Sequence, residues 1–324
     1  MITLSKIAKL AHVSVSTASK AFSMSNEVNP ETREMIFKIA KEYGCFKKFY
    51  NAKYPKLVFA IICPEFKSRF YSDALSLVQE YSKEYNCEIC VASTDFSLET
   101  EKMLFEYYTK YTSVDAIINI TGRLTDYEMF SHTPVVSIFP ANQSDADITV
   151  LDEMDNAFKE FFIHFKEKEI SSIGFIGETH TDLKLSVFKK NMEEIFGEHK
   201  KEYISISQKR FEEGGYEAME KLLSEKDLPR AVVCAYDCMA IGAMRAIHNK
   251  GLCIPDDIAV LGINDIRESA YLPTPLSSIN QNLEKACKEA VDALINRLYD
   301  KPYQKIIKIP AELKIRKSGE IASE

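Results

Sequence analysis

The chain has 324 residues, of which 46% are apolar and 27% charged, enough apolar material for the cores of two or three units and too long for one small module. No apolar run approaches the roughly 18 residues that a membrane span needs, and the first apolar stretch is broken by Lys6, Lys9 and His12 with no basic leader before it, which argues against an export signal. The net charge of -7 is unevenly placed: residues 1–56 carry ten lysines and arginines against four glutamates, the asymmetry expected when only one end meets a polyanion.

Three short helices are expected in residues 1–46. Thr3 can cap the first, whose Leu4, Ile7, Ala8 and Ala11 share one face. After a tight connection at His12-Val13, Ser14 caps a second, with Ala18, Ala21 and Phe22 facing inward. Asn29 caps a third that has Pro30 at its first position and an apolar stripe of Met35, Ile36, Ile39, Ala40 and Tyr43. Two closely joined helices closed by a third form a helix-turn-helix. The outer face of the second helix, Val15, Ser16, Thr17, Ser19 and Lys20, is slender. A helix that enters the major groove needs such groups, because bulk would hold its backbone away from the base edges. Hydroxyls of Thr3 and Ser14 beside free helical N–H groups suit phosphate oxygens.

Residues 47–56 form a basic linker with Lys47, Lys48, Lys53 and Lys56 and the aromatics Phe49, Tyr50 and Tyr54, which leaves two readings: a hinge that meets the minor groove with Tyr50 or Tyr54 as a wedge, or, slightly favoured, a plain tether that binds phosphates. From Leu57 onward, buried strands are expected at 57–62, 87–92, 116–120, 135–139, 173–176, 203–206, 231–235 and 258–262, with helical patterns between them. The clearest helix carries Leu283, Ala286, Cys287, Ala290, Leu294 and Leu298. Such alternation implies parallel sheets covered on both faces, divided into two lobes with a cleft between them. The eight cysteines read as reduced thiols, and the CxxC at Cys87 and Cys90 reads as a strand. There is no GxSxG, phosphate-binding GxxxxGK[ST] or HExxH pattern. Asp237 and Asp265 read as capping and turn residues, and no catalytic group, metal or cofactor is expected.

The stretch from Ile2 to Lys20, ITLSKIAKLAHVSVSTASK, resembles the DNA-binding head of the lactose-repressor (LacI/GalR) family, and Asn29-Pro30-Glu31-Thr32-Arg33 resembles the start of its third helix. Gly251 to Asp265, Pro275 to Gln281 and Leu313 to Ser318 are similar to motifs of the family's body. The resemblance implies an α/β two-lobed core of the type I periplasmic-binding-protein kind behind an all-α head. It divides the chain into a head (1–46), a hinge (47–56) and a core (57–324). The first lobe would span about 57–157 and 283–310, and the second 158–282 and 311–324.

It further implies a cytoplasmic, sequence-specific regulator, a repressor by resemblance. Such a protein binds a pseudo-palindromic double-stranded DNA operator as a homodimer, and a small molecule in the cleft modulates it. In the family the equivalents of Val15, Ser16 and Lys20 read bases, and those of Thr3, Ser14, Thr17 and Ser19 lie at or near phosphates. Lys6 stands where the family has Asp, His12 where it has Gly or Asn, and Lys20 where Arg is common. The hinge lacks the family's minor-groove leucine. In the cleft, Phe70, Asp152 and Tyr216 match effector positions, whereas Lys184, Tyr236 and Asn264 replace Arg, Asn and Asp. Those replacements weaken a sugar reading and leave three open: a sugar-like effector, an anionic one such as a phosphorylated metabolite, or none. A transport receptor would share the body but has no use for the head.

Overall fold

The polar caps that the sequence offers are made. In a computed structural model that describes residues 3–43, 45–49, 56–112, 114–127, 133–197 and 203–321, Thr3 precedes α1 (Leu4–Leu10), and its hydroxyl accepts from the Lys6 N–H at 3.3 Å. Ser14 caps α2 (Val15–Phe22) by accepting from the Thr17 N–H at 2.9 Å. Asn29 caps α3 (Pro30–Glu42) by accepting from the Thr32 N–H at 2.7 Å. His12 joins α1 to α2 with φ 54°, a left-handed conformation that His tolerates better than most residues. Arg33 reaches back from α3 and donates to the carbonyls of Ser25 (2.6 Å) and Val28 (3.0 Å), which pins the loop after α2.

Ile7, Ala21, Phe22, Val28, Ile36 and Ala40 close the head's core. Met35 and Tyr43, expected on the inner stripe of α3, are 42% and 52% exposed. Tyr43 lies past the last turn of the helix, and Phe37 takes the flank opposite Met35 by stacking on Phe22 at 5.5 Å. The helical part of this unit runs beyond residue 46, because a one-turn helix α4 (Phe46–Phe49) packs two more rings on Phe22, at 6.1 and 5.7 Å. The chain divides into two units, residues 1–56 and 57–324.

The second unit holds two parallel-sheet α/β lobes. In chain order the first lobe contributes β1 (Leu57–Cys63), α5 (Arg69–Glu84), β2 (Cys87–Ser93), α6 (Leu98–Glu106), β3 (Ala116–Ile120), β4 (Val135–Ile138) and β5 (Ile148–Glu153). There follow α7 (Asp155–Lys166), β6 (Ile173–Glu178), α8 (Asp182–Phe196), β7 (Ile204–Ser207), α9 (Phe211–Leu222), β8 (Ala231–Cys234), α10 (Asp237–Asn249), β9 (Ala259–Ile263) and β10 (Ser277–Asn280) of the second. The chain then returns through α11 (Leu283–Leu298) and β11 (Ile306–Pro310) to the first lobe and ends in β12 (Glu312–Lys314) of the second. The sheet orders are β11-β5-β4-β3-β1-β2 and β12-β10-β9-β8-β6-β7, and among the described residues only β12 runs antiparallel, against β10.

All eight expected strands are present to within two residues at either end. β5 (ITVLDE), β10 (SSIN), β11 (IIKIP) and β12 (ELK) were not expected, because polar, charged or proline residues break their apolar runs. Met154 and the α7 residues Ala157, Phe158, Phe161, Phe162 and Phe165 belong to the second lobe's core, so the first crossing follows Glu153 rather than residue 157.

Two close approaches set the second lobe. A Cβ at Gly242 of α10 would lie 1.9 Å from the Glu212 carbonyl of α9, so glycine lets these helices touch. A Cβ at Gly262 of β9 would lie 2.0 Å from the Asp237 carboxylate. Asp237 is fully buried at the start of α10. It accepts from the Ile266 N–H (2.8 Å), the Ser269 hydroxyl (2.7 Å) and the Ser278 hydroxyl (2.6 Å). Burial pushes its pKa up to about 6, against those three bonds, which favour the ionised form. One carboxylate therefore ties α10 to β10 and to the loop after β9. Asp237→Ala orphans three buried donors and is expected to lower the unfolding free energy by about 3 kcal/mol; urea denaturation monitored by circular dichroism measures it.

Candidate nucleic-acid interface and interlobe cleft

Helix α2 presents Ser14, Val15, Ser16 and Ser19 to solvent, with Thr17 and Lys20 half-buried at its flanks. No acidic residue lies in the first turn of α1 or α2. The Ser14 hydroxyl also shares a hydrogen with that of Thr17 at 2.8 Å. The face is thus narrow, hydroxyl-rich and free of acids, the shape and chemistry of a groove-reading element. Lys20 is ion-paired with Glu27 from the loop that Arg33 pins. Lys47 and Lys48 lie on α4 with side chains outside the described set, and Lys53, Tyr50 and Tyr54 lie outside the described residues.

The cleft between the lobes holds a cavity of about 180 Å³. Of the candidate effector residues, the fold brings Phe70, Asp152, Lys184, Tyr236 and Asn264 to its wall. Tyr216 is elsewhere. It packs against the second lobe's core from α9, and its hydroxyl accepts from the Asn249 amide at 3.2 Å. The aromatic ring that α9 gives the cavity is Phe211, five residues and more than a full turn earlier.

Each polar group among the candidate effector residues has a partner from a distinct element. Asp152, the penultimate residue of β5, accepts from the Gln281 amide at 2.6 Å. Lys184 on α8 donates to the Ala235 carbonyl at 2.9 Å and to the Asn264 amide oxygen at 3.3 Å. Burial pushes Lys184 down to about 8 against the attraction of Asp152, Asp237 and Glu178, and burial raises Asp152 against its Gln281 bond and Lys184. The Tyr236 hydroxyl accepts from the Phe211 N–H at 3.1 Å, and burial raises its pKa to about 12.

Five wall residues, Phe96, Thr121, Phe139, Phe211 and Asn264, have positive φ (58°, 50°, 51°, 58° and 107°), so strained backbone recurs where side chains must be aimed inward. Glu101 of α6, 2% exposed, holds the loop after β3 by accepting from the N–H groups of Arg123 (3.0 Å) and Leu124 (3.2 Å).

Residues that sequence reading missed are Phe96, Glu178, His180, Arg210 and Phe211. Phe211 stands beside the Gly214-Gly215-Tyr216 motif and was within reach; Arg210 has no sequence signal.

A lysine whose pKa falls from 10.5 to about 8 on folding costs stability below pH 8, and that cost is relieved as pH rises toward 10.5. In urea titrations from pH 7 to pH 10, the native chain is expected to gain stability relative to Lys184→Met above pH 8. A constant difference would show that Lys184 titrates normally.

The sequence pattern "Bacterial regulatory proteins, lacI family" matches residues 3–45, and "Periplasmic binding protein-like domain" matches residues 162–319. The HTH-type transcriptional repressor PurR of Histophilus somni (strain 129Pt) is 28% identical over 98% of this chain and 99% of its own length. PurR of Pasteurella multocida (strain Pm70) is 26% identical over 98% of each. Among solved structures, a LacI-family transcriptional regulator from Silicibacter pomeroyi superposes with a TM-score of 0.75 at 18% identity, covering 99% of this chain and 100% of that one. The lac repressor dimer bound to operator and the anti-inducer ONPF gives a TM-score of 0.73 at 19% identity, covering 99% of each. With its capped helix-turn-helix head and its two-lobed core, the chain belongs to the lacI family of bacterial regulatory proteins.

Proposed function

We propose that this DNA-binding regulator is a cytoplasmic repressor that grips a pseudo-palindromic operator as a homodimer, its affinity set by a small neutral effector in the interlobe cleft. The observation that carries the DNA reading is the slender outer face of α2, with Ser14 and Thr3 capping the helix ends that would meet phosphates. Val15, Ser16 and Lys20 read bases in this proposal, and Thr3, Ser14, Thr17, Ser19 and the lysines of residues 47–53 contact or approach the backbone. The repressor name of the relatives at 28% and 26% identity supports repression, and the operator-bound dimer among the similar structures supports the twofold arrangement.

The effector's charge follows from the cavity's own. Lys184 answers Asp152, and Arg210 lies 3.5 Å from both Glu65 and Glu178. The two half-buried cations of the wall, Lys184 and Arg210, are thus already engaged with carboxylates, and the wall's other arginine, Arg123, is exposed, so that solvent screens its charge. The anionic reading is therefore the weaker one. A cavity of about 180 Å³ suits a molecule of one ring, since about 150 Å³ accepts benzene, and the rings of Phe70 and Phe211 give it faces to stack on.

Two measurements test the proposal. After selection of bound sites from random duplexes, Lys20→Ala is expected to cost about 1–3 kcal/mol and relax preference at one or two base pairs. Lys6→Ala is expected to weaken all sites evenly and reduce the salt slope by about one; an even loss with Lys20→Ala would make that lysine a phosphate contact. Isothermal titration should give heat with neutral monosaccharides or neutral heterocycles and none with their phosphorylated counterparts. Heat from the phosphorylated set alone, or from neither with folded protein, refutes the neutral effector.

A further inference from the structure

Both lobes converge on a single guanidinium. Arg210 precedes α9 in the second lobe, and its guanidinium carbon lies 4.8 Å from the centre of the Phe96 ring in the first lobe and 4.6 Å from that of Phe211 in the second. The Phe96 ring also stacks on His180 of the second lobe, centroids 4.0 Å apart and planes within 3°. Two carboxylates complete the arrangement. Glu65 of the first lobe lies 3.5 Å from Nη2, and Glu178 of the second lies 3.5 Å from Nε.

Neither carboxylate is free to turn away. Glu65, 8% exposed, accepts from the N–H groups of Lys67 and Ser68. Glu178, 2% exposed, accepts from the His180 N–H at 2.9 Å and the Thr179 hydroxyl at 3.1 Å. Two buried anions, one fixed to each lobe, thus face a common cation.

We propose that Arg210 is an interlobe clasp, a positioning residue that holds the cleft closed by neutralising Glu65 and Glu178 together while its plane bridges Phe96 and Phe211. Every part of the clasp belongs to the chain, so closure does not depend on an effector. Without the guanidinium, two desolvated carboxylates are left uncompensated on opposite sides of the cleft, and the aromatic faces lose the cation between them. The peripheral pair Arg69–Glu268, at 3.3 Å and with both side chains more than two-fifths exposed, is too solvated to replace it. Lysine would keep the charge at 210 but lose the planar group that fits between rings and carboxylates.

Hydrogen–deuterium exchange of the full chain reads this with neither DNA nor effector, so its outcome is separate from that of the function proposed above. Arg210→Ala is expected to speed exchange on the order of tenfold in the segments around Phe96 and around His180–Lys184, with the head and strands β3 and β4 unchanged. Arg210→Lys should fall between Arg210→Ala and the native chain. The double variant Arg210→Ala/Glu65→Gln should exchange more slowly than Arg210→Ala, because one of the opposed charges is gone; a role in packing alone would not give that reversal. If Arg210→Ala loses protection throughout, Glu65→Gln alone should speed exchange in both cleft segments. Native-like exchange there in Arg210→Ala, or in Glu65→Gln should the first variant not fold, overturns the clasp.

Discussion

The chain passes between the two sheets three times, after β5, after β10 and after β11, and short hydrogen bonds lash these passages together. Gln281 donates to Asp152 at 2.6 Å, Asn282 to the Pro310 carbonyl at 2.6 Å, and the Ala311 N–H to the Glu153 carbonyl at 3.3 Å. Three adjoining strands of backbone restrict relative movement of the lobes to rotation about a narrow line. Asp152 belongs both to that line and to the cavity wall. A molecule that touches Asp152 acts at the pivot, where a small displacement is amplified at the lobe tips.

The two ends of the protein handle charge in opposite ways. The head leaves cations accessible, as a surface that meets phosphates must, and holds back Lys20 through Glu27. The cleft hides its charges in matched groups. Desolvation costs each of them, as the lowered Lys184 and raised Asp152 record, and the cost is tolerable only because each has an opposite charge or a polar partner close by. That matching makes the buried part of the cleft selective: a guest that brings a charge to Asp152, Lys184 or Arg210 must break a pair already made.

Much of this was legible in the sequence because the signals were local. Ser14, Asn29 and Pro30 announce helix starts by their own chemistry, and the apolar runs of β1, β3 and β8 can lie only inside a sheet. The stripe of α11 was equally plain. The unexpected strands β5, β10, β11 and β12 have apolar runs broken or ended by polar residues, and they are specified by the neighbours they pair with. In the cleft, Asp152, Lys184 and Asn264 came from motifs, and the fold does bring them together. Tyr216 did not follow, since the periodicity of α9 alone does not say which of its aromatic rings faces the cavity. Arg210, Glu65 and Phe96 lie far apart in sequence, and no pattern marks residues whose meeting is created by the arrangement of two lobes.

The contact between Asp237 and the bare α-carbon of Gly262 has an evolutionary side. A methyl group at 262 has no room while the carboxylate is in place, and a truncated side chain at 237 would leave a hole beside the glycine. Either change alone is penalised, whereas the two together could compensate. Sequences that drift within this fold should therefore keep both residues or exchange both, and the pair should show up as correlated columns wherever enough relatives are compared.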